Sequence, residues 1–397
     1  MSSVTQIVAV TALNLRALAQ RRGNSLVVVL GIAGVVAVLI TALSMTSGFR
    51  RTMSAGGQPD RAVVITRGAD SQLASSLSRD NVLQIASAPG IRRSADGKPQ
   101  LSAEVVMMAP VIRKSDGADA FVALHGVGPQ GFQVRSDLHL LAGRLPRSGL
   151  REVLAGRAAK AQFVGLDLGE NVRLADGDWA VVGVFDSNGS SLDSALIVDA
   201  DTMLSAYRLK AFNSVLVKLS SPAAFGPFRD ALAAMPGLVV ETRREPDYLA
   251  AASAPFNRML NLVAYAVGGI MAAGALFGAL NTMYSAVNMR SAEIATLRAI
   301  GFSGNAVVVS VFVEALMLSL VGASLGVLLV YVGFNGRTIS TVGDTVGYNP
   351  QIIYPLSITA DLVLIGVALA CAVGFLGGLF PAVRAARLPV ATALRAK

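Results

Sequence analysis

The sequence predicts a membrane protein with four transmembrane α-helices and a mixed α+β domain inserted between spans one and two. Three observations carry this reading. The 397-residue chain is 53% hydrophobic and only 15% charged, where soluble domains carry about 25% charged residues. Four apolar runs are each long enough to cross a bilayer. A long polar stretch, residues 47–258, separates the first run from the other three.

The first run, Leu26 to Thr46, has no charged residue. At a rise of 1.5 Å per residue it reaches about 30 Å, the thickness of a bilayer core. A cleaved signal peptide would have a shorter apolar centre, of about 7–15 residues. The run is longer than that and follows residues 1–25, so it is expected to be retained as a span over 26–46. The remaining spans are expected over 259–284, 307–332 and 362–381, with Pro381 closing the last. Three of the spans carry a Gly-x-x-x-Gly pair: Gly274 and Gly278, Gly322 and Gly326, Gly374 and Gly378. Small residues at that spacing let helix backbones approach closely, so helix packing is expected at all three.

Four spans leave both termini on one side of the membrane. The tail 382–397 holds Arg384, Arg387, Arg395 and Lys397 and no acid, which marks the cytoplasmic side. The loop 285–306 has Arg290 and Arg298 against Glu293, and the loop 333–361 has Arg337 against Asp344. The flanks of span one are ambiguous alone, with Arg16, Arg21 and Arg22 before it and Arg50 and Arg51 after it. Ahead of that span, Val4, Ile7, Val8, Thr11, Leu15 and Leu18 recur at helical spacing. They predict an amphipathic helix, lying on the cytoplasmic membrane face or packed on protein.

The stretch 47–258 is then an external domain. Residues 61–68, 103–113, 176–186, 192–199 and 214–220 read as strands bounded by turn residues. Residues 151–163 and 221–235 read as helices, the second opened by Ser221 and Pro222. Strands interleaved with helices indicate α+β subdomains.

The net charge of +9 does not point to nucleic acid. Lys/Arg and Asp/Glu are nearly balanced within 47–258, and the excess flanks the apolar runs, where it reports topology. Cys371, the one cysteine, lies inside an apolar run, which excludes a disulfide framework and a cysteine metal site. His125 and His139 lack metal-ligand spacing and read as structural, and the Asp137/His139 pair reads as surface. No Gly-x-x-x-x-Gly-Lys-Ser/Thr loop occurs, so no phosphate-cradling ATPase site is expected in this chain. No catalytic constellation is visible. Asn188-Gly189-Ser190 matches a glycosylation sequon only as a short motif. Glu314 falls within the third span, where a charge is expensive. A structural ion pair with Arg290, Arg298 or Arg384 is the favoured explanation.

The loop between spans two and three reads "EIATLRAIGFS". Ser291 is placed to cap a short helix with Glu293 in its first turn. Ile294, Leu297 and Gly301 share one face, and Gly301 permits a left-handed ending. A short helix with an apolar face suits a groove in a partner protein.

This stretch, followed by "FVEALMLSLVGASLGVLL" and the ending "GGLFPAVRAARLPVATALRA", resembles the signature of MacB/FtsX-type ABC transporter permeases. Ala295 departs from the glycine usual there. "LAGRLPRSGLREVLAGRAAKAQF" and "GDWAVVGVF" are similar to the family's periplasmic core domain. The resemblance implies a bacterial inner-membrane permease with cytoplasmic termini and a periplasmic domain. A separate ABC ATPase would contact Glu293, Ile294, Leu297, Arg298 and Gly301 and would bind the ATP and magnesium. A second permease chain would complete the complex, and an adaptor or outer-membrane partner belongs to some members. Such complexes export or extract peptides, drugs or lipoproteins by transmitting motion to the periplasmic domain. The alternative is a membrane-anchored regulator of a periplasmic partner, without transport. The spans offer no polar lining, so cargo is expected outside them. Met45, Phe49, Met53, Phe256 and Met259, which flank the two long connections, are candidate contacts for cargo or for the second chain.

Overall fold

A computed structural model describes Gln6, Thr11 and residues 22–174, 177–341 and 351–387. The amphipathic N-terminal helix and the basic residues Arg395 and Lys397 lie outside the described residues. The chain divides into two compact units.

The first unit comprises Met1–Ser47, Arg258–Arg337 and Leu356–Lys397. Among the described residues, four helices are long and apolar enough to span a membrane, within Arg22–Ala55, Glu245–Met289, Gly304–Phe334 and Ala360–Arg387. The first and second have 34 and 45 residues and run well past the apolar stretches that announce them. Hydropathy marks where a helix can be in lipid, not where helical hydrogen bonding stops. The second helix starts at Glu245, whose carboxylate and that of Asp247 suit the positive end of the helix dipole. The fourth helix does not close at Pro381. It continues to Arg387 with Pro381 buried inside it. Proline removes one amide donor, but packed neighbouring helices can re-satisfy the freed backbone.

The first helix forms the centre of this unit. Val28, Ile32, Val36 and Ile40 are buried together with Leu318, Ala323, Val330, Leu362 and Ala370. Gly322 and Gly326 face it closely enough that a Cβ on Gly326 would stand 2.6 Å from the Ala33 carbonyl oxygen. Gly374 and Gly378 seat the fourth helix on Ala315 and Ser319 of the third. The third pair behaves differently. Among the described residues a Cβ on Gly274 or Gly278 would meet nothing within 4 Å, so this pair packs against none of the described helices.

The second unit comprises Gly48–Asn257 with Thr338–Pro355. Its strands are β1 Arg61–Thr66, β2 Leu101–Ile112, β3 Asp119–Val127, β4 His139–Gly143, β5 Glu152–Gly156, β6 Asn171–Leu174, β7 Gly177–Asp186, β8 Leu196–Asp199, β9 Ser214–Lys218 and β10 Val240–Arg244. They form one mixed sheet in the order β10-β1-β9-β2-β3-β8-β5-β7-β4, with β6 pairing β7. β3/β8 and β5/β7 are parallel; the other pairs are antiparallel. β2 joins two halves of the sheet, pairing with β9 over Leu101–Glu104 and with β3 over Val105–Ile112. Two cores follow. One collects Val122, Leu124, Val153, Phe163, Trp179 and Met203. The other collects Ala62, Val64, Ile85, Val217, Phe228 and Leu232.

Residues 151–163 are not one helix. Glu152–Gly156 is β5, buried along its whole length between β7 and β8, and only Arg157–Gln162 is helical. A strand buried on both faces reads as a continuous apolar run without alternation, which mimics a helix in the sequence. The 192–199 stretch also splits. Ser191–Ser194 is a 3₁₀ turn held by the Asp193 carboxylate, which accepts from Ser187 N, Ser187 Oγ and Gly189 N, and the strand begins at Leu196.

Candidate functional site

The short helix Ser291–Ala299 follows the second membrane helix after a single residue, Arg290. Arg290 occupies the N-cap position with no side-chain cap, so Ser291 is the first helical residue and not the cap. A cap at Ser291 would require non-helical backbone one residue later, where the chain has already turned. The Arg290 side chain is used elsewhere. Its Nη1 and Nη2 donate to Glu314 Oε2 and Oε1 at 2.8 and 2.7 Å, with both side chains almost fully buried. This two-pronged geometry is the strong form of the Arg–carboxylate bond. It locks the start of the short helix to the third membrane helix.

The far end of the short helix is equally defined. Phe302 N donates to Leu297 O and Gly301 N to Arg298 O, both at 3.1 Å. Gly301 has φ +100°, so the turn is a Schellman ending that relies on glycine. Ser303 then caps the third membrane helix, its side chain accepting from Ala306 N.

The faces of this helix depart from the sequence reading. Ile294 and Ala295 are buried, and Ile294 packs inward with Met283, Val287, Val307, Val311 and Ala382. Leu297 and Arg298 are half-buried, Glu293 and Gly301 are exposed, and Ile300 is 69% exposed. Periodicity grouped Ile294, Leu297 and Gly301, and burial falls along that series. It could not tell that the shared face points toward the membrane helices, leaving Ile300 as the apolar group at the surface.

In the external unit the structure assembles a buried charge network without a sequence signature. Arg61 is fully buried on β1. Its Nε donates to Glu245 Oε2 at 2.5 Å, and its guanidinium also reaches Asp137 and the Gly56 carbonyl. Arg135 donates to both oxygens of Glu104 at 3.1 and 2.8 Å and stands 3.7 Å from Glu245. Gln58 N donates to Glu245 Oε2 at 3.0 Å. Burial holds the Glu245 carboxyl above its usual range, with Arg135 and Arg61 pulling the other way. Asp137 therefore belongs to this network and is not the surface partner of His139. These contacts tie β1, β2 and residues 56–58 to the first residue of the 45-residue helix. The residues are far apart in sequence, so spacing could not reveal them.

Of the candidate contacts at the long connections, Phe49 is buried. Its ring lies 4.6 Å from Phe256 and 5.7 Å from Tyr354, so it packs within its own chain and offers no contact surface. Met45, Met53 and Phe256 are half-buried, Met53 lines a cavity, and Met259 is 53% exposed.

Comparison with known proteins follows this division. Residues 25–235 match the model of the MacB-like periplasmic core domain, and residues 265–390 match that of the FtsX-like permease C-terminal region. The chain is similar to the macrolide export ATP-binding/permease protein MacB of Campylobacter jejuni, 33% identical over 134 residues, which cover 34% of this chain and 18% of that protein. It is also similar to the lipoprotein-releasing system transmembrane protein LolC of Xylella fastidiosa, 24% identical across 97% of this chain and 98% of that one. Among solved structures, the periplasmic region of MacB from Actinobacillus actinomycetemcomitans aligns with 48% of this chain and 92% of its own, at 17% identity and a TM-score of 0.38.

Proposed function

The chain belongs to the permease family defined by a MacB-like periplasmic core domain followed by an FtsX-like permease region, and on that premise we propose that a separate ATPase drives it through the Ser291–Ala299 helix. The observation that carries this reading is the fixed presentation of that helix. One end is clamped by Arg290 and Glu314 and the other by the Gly301 turn, while Ile300 projects at its end. A rigid surface helix with an apolar tip suits a groove in a partner. ATP and magnesium would be held by that partner, and a second permease chain would complete the assembly, with an adaptor joining if export crosses two membranes. The 45-residue helix from Glu245 to Met289, which carries Pro255 within it, offers a single long element for passing a displacement onward. The cargo would be a peptide, drug or lipid-like molecule, exported or extracted.

We place the protein in the bacterial inner membrane, with both termini cytoplasmic. An impermeant thiol reagent on intact cells should label Asn188→Cys and not Ser303→Cys, both in a Cys371→Ser background. The reverse pattern would invert the topology. For coupling, Ile300→Asp places a charge where an apolar contact is expected, at a cost of roughly 2 kcal/mol or more. The ATPase should then fail to co-purify while the permease keeps its melting temperature. Normal co-purification with full stimulation of ATP hydrolysis would overturn the docking assignment.

A further inference from the structure

The external unit contains a cavity of about 310 Å³. Its volume falls at the small end of the range for ligand pockets. Much of the wall is apolar: Met53, Val106, Met108, Leu192, Leu249 and Ile352. Two methionines give such a wall an adaptable, polarizable surface.

The polar part of the wall is unusual because some of it is unused. Gln351 is 1% exposed, yet among the described residues its Oε1 has no hydrogen-bond partner. His125 Nδ1 is likewise buried without a partner among the described residues. Both residues line the cavity. A buried polar atom left unpaired costs about 1–3 kcal/mol, so a small side-chain rotation that brings either atom to a ligand's polar group would be favoured. Burial, reinforced by the charge of Arg135, pushes the His125 imidazole down to about 4, so it is neutral at pH 7.

The charged part of the wall sets the sign of the ligand. Arg135 and Glu245 reach the cavity, but both arginines of the network are already paired. Three carboxylates, of Glu104, Asp137 and Glu245, stand against the two guanidiniums of Arg61 and Arg135. An anionic head group would find no uncommitted cation here. The Gln351 oxygen is an acceptor and calls for a donor.

We infer that this cavity binds a small amphiphile with an apolar body of about two rings and one non-anionic head group that donates a hydrogen bond. Met53 and Met108 contact the body; Gln351 and His125 receive the head. The inference rests on the external unit alone and stands or falls separately from the ATPase contact.

The test uses the full-length permease in lipid nanodiscs and 4-hydroxybenzophenone, a photoreactive two-ring phenol, with benzophenone as the donor-free control. Irradiated samples are digested and the adducts mapped by mass spectrometry. Phenol adducts are expected to concentrate on Met53 and Met108. Leu249→Trp should fill the cavity and abolish them while leaving adducts on lipid-facing residues unchanged. The double variant His125→Phe with Gln351→Leu replaces each polar side chain with an apolar one of similar shape, so it guards against misfolding of the Trp variant. It should cut the phenol yield at Met53 and Met108 about tenfold, the effect of losing buried hydrogen-bond partners, and leave the benzophenone yield unchanged. Phenol adducts confined to the spans would overturn the cavity as a site. An unchanged phenol yield in the double variant would overturn the recognition of a donor head.

Discussion

Arg290 and Glu314 meet through two parallel hydrogen bonds of 2.8 and 2.7 Å, one residue ahead of the short inter-span helix and inside the third membrane helix. The pair is what makes a charge at this depth tolerable, and it fixes the point at which the chain surfaces.

Removing one member should be worse than removing both. Glu314→Leu leaves a buried guanidinium without its carboxylate, at a cost of about 3–5 kcal/mol, whereas replacing a whole buried pair by apolar side chains is often neutral. Thermal melts of the purified permease should show a large loss for Glu314→Leu and a recovery of most of it in Arg290→Leu with Glu314→Leu. Equal losses in the single and double variants would mean that the pair contributes little beyond packing.

The three Gly-x-x-x-Gly pairs should divide by function. Gly326→Leu drives a side chain into the Ala33 carbonyl, and overpacking of this kind costs about 1–3 kcal/mol. Gly274→Leu meets nothing among the described residues and should leave the monomer's melting temperature unchanged. Crosslinking in membranes then reports whether the Gly274 face instead pairs with a second copy.

The charge network of the external unit should reject a conservative change at Arg61. Its three nitrogens serve Glu245, Asp137 and two carbonyls, and a lysine cannot reproduce that fork. Arg61→Lys should therefore destabilise by about 3 kcal/mol or more, read as a lower unfolding midpoint, while Arg79→Lys, at an exposed pair with Asp201, should change nothing measurable.

His125 should titrate far below an ordinary imidazole. Burial lowers its folded value to about 4 from the ordinary 6.5, so between those values the unfolded chain takes up a proton that the folded chain refuses. Stability contributed by this group is present above about pH 6.5 and is lost as the pH falls toward 4. Nitrogen-15 spectra of histidine-labelled protein, which has only two such side chains, should show His125 still neutral at pH 5. A midpoint near 6.5 would mean that its ring is solvated.

The sequence by itself determined the membrane architecture. Long uncharged runs such as Leu26–Thr46 have no stable place in water, and in lipid a single such run satisfies its own backbone groups as a helix. Glu293 in the first turn of the short helix, its Gly301 ending and the cost of Glu314 were also legible, because each is a local rule about dipoles, backbone angles or desolvation. Tertiary structure decided the rest. β5 looked helical because a strand covered on both faces loses its alternation. Ile294 turned inward because a periodic face has no sign until something packs on it. The Gly274 pair stayed open because spacing cannot name a neighbour. Arg61, Glu104, Asp137 and Glu245 became one network, and His125 and Gln351 one cavity wall, only through long-range pairing across β1, β2 and β3. Contacts between residues far apart in the chain depend on how the whole sheet closes, and no short window of sequence contains that information.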